Sequence, residues 1–539
     1  MCIKKSFKHF FGILSLLLFT SVICMASLAV IKSEGSNKNA VDSIIIQSKD
    51  KNGKDQMPGV MFLHDLHTQS LKGKDCSTCH LKNDKVQYKF KFMRTDNFDY
   101  DVNMTVYHEN CIGCHNRMKD EGKQAGPNTG NCRACHNVDN DIISSWKELA
   151  FDKSLHYRHV SSESIKPQLK EQKDNCSACH HEYNKKERKT VYIQGKEGSC
   201  NYCHLKTDTT EARSSQAAVH ESCLNCHLKM KAKKTNNSGP TDCEGCHSEK
   251  LQKKIKVLES VPRIKRNQPD SVLLATGINK DISAKKSPQL TIYPVAFDHK
   301  IHEGSLKKCQ DCHHKSLDKC STCHTSSGDK KGDFISLDTA MHNIKESQSC
   351  VGCHEKAQYK KECAGCHTLI TNSQMKQNGC QSCHSSIITD IKQFPVKVET
   401  QANMAQSAIN KRKMSSIGYE KEDVPEKVTI EVMKKEYEAV SFPHRKIVDA
   451  LLKGLNKDSM GKYFHKDKNL MCQGCHHNSK LSVKPPKCVT CHTITKQMTG
   501  DGRPALKGAY HGQCIGCHNQ MDIKKPAATA CIECHKKKS

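Results

Sequence analysis

The sequence predicts a chain of mostly coil with short α-helices and little β-structure, folded as tandem repeats around an interior that its own side chains do not fill. Three observations carry this expectation. The 539 residues are 36% hydrophobic and 5% aromatic, with one tryptophan, Trp146. Cysteines number 34 and histidines 32, far above ordinary use. Both recur in a fixed order along the chain, as they do in repeat architectures.

Length alone would suggest three or four domains. A chain this polar buries too little apolar surface to offset the entropy of ordering it. Composition by itself would therefore read as disorder unless another component supplies the core.

The cysteines name that component. Cys-x-x-Cys-His occurs sixteen times. The first seven copies are Cys76, Cys79 and His80; Cys111, Cys114 and His115; Cys132, Cys135 and His136; Cys176, Cys179 and His180; Cys200, Cys203 and His204; Cys223, Cys226 and His227; and Cys243, Cys246 and His247. Five more are Cys309, Cys312 and His313; Cys320, Cys323 and His324; Cys350, Cys353 and His354; Cys363, Cys366 and His367; and Cys380, Cys383 and His384. The last four are Cys472, Cys475 and His476; Cys488, Cys491 and His492; Cys514, Cys517 and His518; and Cys531, Cys534 and His535. Two thiols at this spacing add across the two vinyl groups of haem, and the following histidine reaches the iron as proximal ligand. Paired cysteines also serve zinc sites and disulfides. Neither requires a histidine after every second cysteine, and sixteen coincidences are excluded. The motifs predict sixteen covalently bound haems c. Only Cys2 and Cys24 remain outside them, near the N-terminus.

The formal net charge is +28. A lysine-rich solvated face or a nucleic-acid footprint would each give such a balance. With two propionates per haem, sixteen haems add roughly 32 negative charges and cancel it. No nucleic-acid partner is expected.

Lys4, Lys5 and Lys8 precede an apolar run from Phe10 to Phe19 that resumes through Ile31, and Ser27-Leu28-Ala29 has the form of a signal-peptidase site. Residues 1–29 are expected to be a cleaved signal peptide, with cleavage after Ala26 or an uncleaved anchor as the alternatives. Bulky Ile23 before Cys24 argues against lipidation. The mature chain is expected to be periplasmic, with no transmembrane span.

Haem iron commonly takes a second axial ligand. Removing the motif histidines and His9 leaves fifteen candidates: His64, His67, His108, His156, His159, His181, His220, His299, His302, His314, His342, His444, His465, His477 and His511. Fifteen cannot serve sixteen irons, so at least one iron lacks a second imidazole.

These histidines fall into a pattern. An opening histidine follows an aromatic, as in Val-Met-Phe-Leu-His64, Val-Ala-Phe-Asp-His299 and Val-Ser-Phe-Pro-His444. A second follows three residues later at His67, His159 and His302. Then come His180-His181, His313-His314 and His476-His477, another motif, a lone histidine and two final motifs. Neighbouring histidines on neighbouring irons force two haems close together, because adjacent Cα atoms lie about 3.8 Å apart.

This order resembles the class III tetrahaem cytochromes of sulfate-reducing bacteria. The whole chain is similar to large sixteen-haem periplasmic members built from such repeats. The resemblance implies a multihaem cytochrome with a haem-filled core. Its domains are a three-haem unit over 30–149, a four-haem unit over 150–250 and a linker over 251–290. A four-haem unit plus one extra haem at 380–384 follows over 291–384, then a linker over 385–438 and a four-haem unit over 439–539. A helix is expected after Pro425. Carried onto this chain, the family's ligand order pairs His64 with His80, His67 with His115 and His108 with His136. Leu81 stands where the histidine of the first unit's missing haem would be. It pairs His156 with His180, His181 with His204, His159 with His227 and His220 with His247. It pairs His299 with His313, His314 with His324, His302 with His354 and His342 with His367. It pairs His444 with His476, His477 with His492, His465 with His518 and His511 with His535. About twenty residues separate His444 from His465, which breaks the family spacing.

On this scheme the Cys380 motif lacks a partner, and its iron would be five-coordinate or take a non-histidine ligand such as Met375. The alternative is that a histidine from another unit swings over and leaves a different haem open. About fifteen haems would be bis-histidine, low in potential and closed to substrate. The resemblance implies electron transfer, with supply from hydrogenase through a small tetrahaem periplasmic cytochrome and delivery to a membrane-bound redox complex in sulfate respiration. No catalytic residue is expected. The rival function is a reductase of a small oxyanion such as nitrite at the open haem. Lys376, Gln377 and Gln381 are the polar groups near Cys380, with no spare histidine.

Overall fold

A Cys-x-x-Cys-His segment is too short for a stable helix of its own, yet it must bring two thiols to one side. The chain meets this with a single tight turn, in which positions i and i+3 share a face. The structure is a computed structural model that describes residues 39–47, 54, 56–83, 87–92, 100–128, 131–137, 143–169, 171–235, 237–275, 292–370, 379–385, 397–412, 417–431, 437–467, 469–494 and 500–538. The signal-peptide reading and Met375, Lys376 and Gln377 lie outside these residues.

In the turns the histidine amide closes the loop onto the first cysteine carbonyl, at 2.8 Å for His136 on Cys132, His204 on Cys200 and His476 on Cys472. Other motifs sit inside longer helices, Tyr100–Asp120, Ser215–Ala232, Cys350–Gln358, Lys361–His367 and Leu506–Gln520. Among the described residues the fold is helical with little sheet, the strands joined only in two-stranded pairs.

The chain divides into two compact units, residues 1–262 and 263–539. Inside them one opening device recurs. A short antiparallel strand pair leads into a helix that starts on the first distal histidine. Ser43–Ile46 pairs with Val60–Leu63 before the helix His64–Ser70. Ser271–Leu274 pairs with Val295–Asp298 before His299–Ser305, whose cap Asp298 accepts from the Ile301 amide. Val428–Ile430 pairs with Val440–Phe442 before His444–Leu455. The helix expected after Pro425 is therefore a strand at Val428–Ile430, where two β-branched side chains flank Thr429 and find a paired edge. In the second repeat Ile143–Ser144 lies parallel to Asn39–Ala40 ahead of the helix Lys153–Val160.

Few apolar side chains are fully buried. A cluster of Leu273, Ala296, Ala405 and Ala408, backed by Met404 and Ile409, is built from the strands Ser271–Leu274 and Val295–Asp298 and the helix Val398–Asn410. Two of these three elements fall in the segments read as bare linkers. Those segments fold onto each other, with Ser271 Oγ donating to the Ala402 carbonyl at 3.2 Å. Among the described residues no helix is long and apolar enough to cross a membrane.

Within the first unit, Asn225 joins two repeats. It lies between Cys223 and Cys226 and is buried. The Tyr88 amide donates to its Oδ1 at 2.9 Å, and its Nδ2 donates to the Tyr88 carbonyl at 3.1 Å. Tyr88 opens a strand paired with His80–Lys82, so one side chain ties the His80 hairpin to the Cys223 turn. Asn225→Leu leaves both Tyr88 groups without partners. It is expected to cost about 2–3 kcal/mol, read as a lower urea midpoint for the first unit's transition.

Candidate haem-binding sites

A histidine serves as a metal ligand only when one ring nitrogen is free and the ring is held still. A backbone carbonyl can only accept, so an Nδ1 facing one carries the proton and leaves the Nε2 lone pair exposed. This contact recurs through the chain. The second histidine of each opening helix donates Nδ1–H to the carbonyl four residues back: His67 to Leu63 at 2.7 Å, His159 to Leu155 at 2.8 Å and His302 to Asp298 at 2.7 Å. Several motif histidines reach across chain instead, His115 to Pro127 at 2.7 Å, His227 to Pro240 at 2.8 Å and His384 to Tyr293 at 2.6 Å. Seven of the accepting carbonyls belong to prolines: Pro58, Pro127, Pro240, Pro269, Pro486, Pro504 and Pro526. Proline stays out of helix interiors, so its carbonyl is free to accept. A proline eight to thirteen residues after a motif histidine is a legible signal that the sequence reading did not use.

The rings stand in pairs. Among the described residues fifteen imidazole pairs have ring centres 5.8 to 6.5 Å apart. Metal–imidazole bonds of about 2.0 Å, with each nitrogen about 1 Å from its ring centre, put two axial rings roughly 6 Å apart. The spacing fits an iron between each pair, and the thiol pair beside one ring fits a covalently held porphyrin.

Thirteen of the pairs are those implied by the family order, from His64 with His80 at 6.2 Å to His511 with His535 at 6.0 Å. Two differ. His342 faces His384 at 6.1 Å, and His367 faces His465 at 5.9 Å. The Cys380 motif is thus not the one left over. Among the described residues His518 faces no second imidazole, although its Nδ1 donates to Pro526 at 2.9 Å, as His115 and His227 donate to Pro127 and Pro240.

The cause lies in the fourth repeat's opening. In three repeats the second histidine stands three residues after the first, and in two of them a phenylalanine five residues before it packs on it, Phe62 on His67 at 4.2 Å and Phe297 on His302 at 4.3 Å. In the fourth repeat Phe442 precedes His444, and Ile447 occupies the register of the second histidine. The helices His444–Leu455 and Ser459–Phe464 then carry His465 away to the third repeat's Lys361–His367 helix.

Neighbouring sites touch through their thiols. His64 Nδ1 lies 3.9 Å from Cys243 Sγ, so the first repeat's opening site adjoins the second repeat's last. A metal-like cluster of His64, Asp65 and Cys243 at this point belongs to these two sites. In the second unit burial pushes the Cys475 thiol up to about 12, and the nearby Cys366, Cys517, Cys514 and Cys488 thiols add to it. Gly365 and Gly474 permit this closeness. A Cβ on Gly474 would meet Cys366 Sγ at 2.9 Å, and one on Gly365 would meet Cys517 Sγ at 2.8 Å. Three binding turns, at Cys363, Cys472 and Cys514, interlock through two glycines.

The class III cytochrome c family matches residues 41–136, 139–247, 275–384 and 421–538. The high-molecular-weight cytochrome c of Nitratidesulfovibrio vulgaris is 42% identical over 515 residues, which cover 94% of this chain and 93% of that protein. The crystal structure of high-molecular-weight cytochrome c from Desulfovibrio vulgaris (Miyazaki F) superposes with a TM-score of 0.78 at 37% identity, covering 94% of this chain and all of that one. The sixteen-haem cytochrome of Desulfovibrio gigas gives 0.75 at 37% identity, over 93% and 99% of the two chains.

Gly474→Ala places a methyl against Cys366 and is expected to destabilise the second unit by about 1–3 kcal/mol. Gly508→Ala, whose Cβ would meet only Pro504 Cβ at 3.5 Å, serves as the control and leaves the urea midpoint unchanged or raised.

Proposed function

The chain belongs to the class III cytochrome c family, and from that premise we propose that it is a sixteen-haem periplasmic carrier linking a small tetrahaem cytochrome or hydrogenase to a membrane-bound redox complex in sulfate respiration. The coarser statement, a multihaem electron-transfer cytochrome, follows from the family. Haem, when bound, supplies one-electron exchange between ferric and ferrous iron. The residues hold, orient and shield it. Cysteine pairs would fix the porphyrin, and motif histidines would present Nε2 to it, with Nδ1 donated to a carbonyl in His115, His227, His384 and others. Distal histidines close the opposite face.

The observation that carries the carrier reading is the near-complete pairing of imidazoles. An iron held from both faces has no position for a substrate, so its chemistry is confined to electron exchange. The close thiol contacts within each unit support short passages from site to site. Export rests on the N-terminal sequence, and the partners rest on the resemblance. The uncovered side of His518 favours a second reading, reduction of a small oxyanion at that iron. Ile447, in the register of the missing ligand, offers no proton to such a reaction.

Low-temperature EPR of the oxidised holoprotein is expected to show one high-spin ferric species beside low-spin ones. Ile447→His restores the His-x-x-His order and converts the high-spin signal to low-spin. His465→Ala uncovers His367 and adds a second high-spin signal. A fully low-spin wild type contradicts the assignment. Stopped-flow mixing of reduced protein with nitrite is expected to give no rapid reoxidation, and rapid turnover would favour the reductase.

A further inference from the structure

The end of the helix Ser459–Phe464 makes three unlike contacts in three consecutive residues. Successive helical side chains point about 100° apart, so neighbours at a helix end reach different surroundings. Tyr463 donates its hydroxyl to the Ser382 carbonyl at 2.7 Å, inside the Cys380–Cys383 turn. Phe464 sets its ring edge-on to His354, with centres 5.4 Å apart and planes at 86°. His465 faces His367 at 5.9 Å. One tripeptide of the fourth repeat thereby touches three binding turns of the third.

The strap is itself anchored. Asp458 caps the helix by accepting from the Gly461 amide at 2.8 Å, and the Gly461 carbonyl accepts from His465 Nδ1 at 3.0 Å. Arg412 and Lys466 place cations 5.6 and 4.1 Å from the centre of the Tyr463 ring, contacts that hold a half-buried ring in place. Asp458, Gly461, Tyr463 and Phe464 lie in the segment between His444 and His465 that breaks the family spacing, so that segment does more than displace a histidine.

We propose that Tyr463 and Phe464 act with His465 as one positioning strap that fixes three binding turns of the third repeat against the fourth and sets the rate of electron passage between the repeats. The inference rests on the electron-transfer reading. Electron tunnelling weakens steeply with each ångström of gap and travels better through bonds than across open contacts. The strap offers a short route with one covalent stretch: a ring contact from His354 to Phe464, the peptide chain from Phe464 to His465, and His465 facing His367. No side chain is oxidised or reduced, and one electron leaves a ferrous site as a ferric site gains it. Tyr463 and Phe464 are positioning residues, because they act through Ser382 and His354.

The test uses full-length holoprotein bearing Phe464→Leu, Tyr463→Phe or both, with Phe464→Tyr as the conservative control. Haem content by pyridine haemochromogen is the folding check. Flash reduction by a flavin semiquinone is followed in the haem bands. The concentration-independent phase is expected to slow at least fivefold in the double variant and measurably in each single one, and to keep its wild-type rate in Phe464→Tyr. His302 and His354 have planes 25° apart, so Phe464→Leu is also expected to move one low-spin EPR signal while leaving the high-spin count unchanged. Wild-type rates in both single variants at full haem content overturn the proposal, as does equal slowing in Phe464→Tyr. A protein with wild-type haem content and no intramolecular phase at all would overturn the electron-transfer reading itself.

Discussion

The hydrogen bond from a histidine Nδ1 to a backbone carbonyl underlies the rest of this architecture. A ring pinned there cannot rotate freely and cannot present Nδ1 to a metal, so Nε2 points to a fixed place. The contact stands on both sides of the gap in His67 with His115 and in His159 with His227, and on one side in many of the other pairs. Among the described residues there is no large apolar core to impose that order from inside. The buried apolar cluster among the described residues is small and made chiefly of alanines. Order comes instead from short turns, carbonyls that helices leave free, and the bound group that each turn is shaped to hold. Stability and function are therefore carried by the same contacts.

The fourth repeat illustrates how the arrangement changes by insertion. Extending its opening helix to His444–Leu455 and adding Ser459–Phe464 moves one histidine from its own repeat to the neighbouring one. Ile447 fills the vacated register. The same segment couples the third repeat to the fourth and, among the described residues, leaves His518 without a facing imidazole. The shortfall of one distal histidine comes from the extra motif at Cys380, and the exchange decides which motif is left with a single imidazole. Gly365 and Gly474 complete the join, since any side chain at either position would hold the interlocked turns apart.

Much of this was legible in the sequence, because the chemistry of attachment leaves a fixed pattern. Cys-x-x-Cys-His locates each turn, and His-His and His-x-x-His locate neighbours by covalent geometry. Thirteen imidazole pairs follow the family order for that reason. The two that differ depend on where a helix ends in space, which no spacing rule states. The broken interval between His444 and His465 marked the place but not the direction. The strand at Val428–Ile430 and the helix Val398–Asn410 were hidden for another reason. They lie in motif-free segments, where weak local preference is settled by tertiary context: the helix packs against Leu273 and Ala296, and the strand pairs with Val440–Phe442. The accepting prolines and the Tyr463–Phe464 contacts act through backbone atoms and ring edges, which residue type alone does not announce.

The measurement closest to the central claim is the intact mass of the purified, exported protein under denaturing conditions. The account predicts a red protein whose mass exceeds that of its mature polypeptide by sixteen haems, all retained after acid–acetone extraction. A colourless chain, or one whose added mass is zinc or is lost on reduction of disulfides, would contradict it.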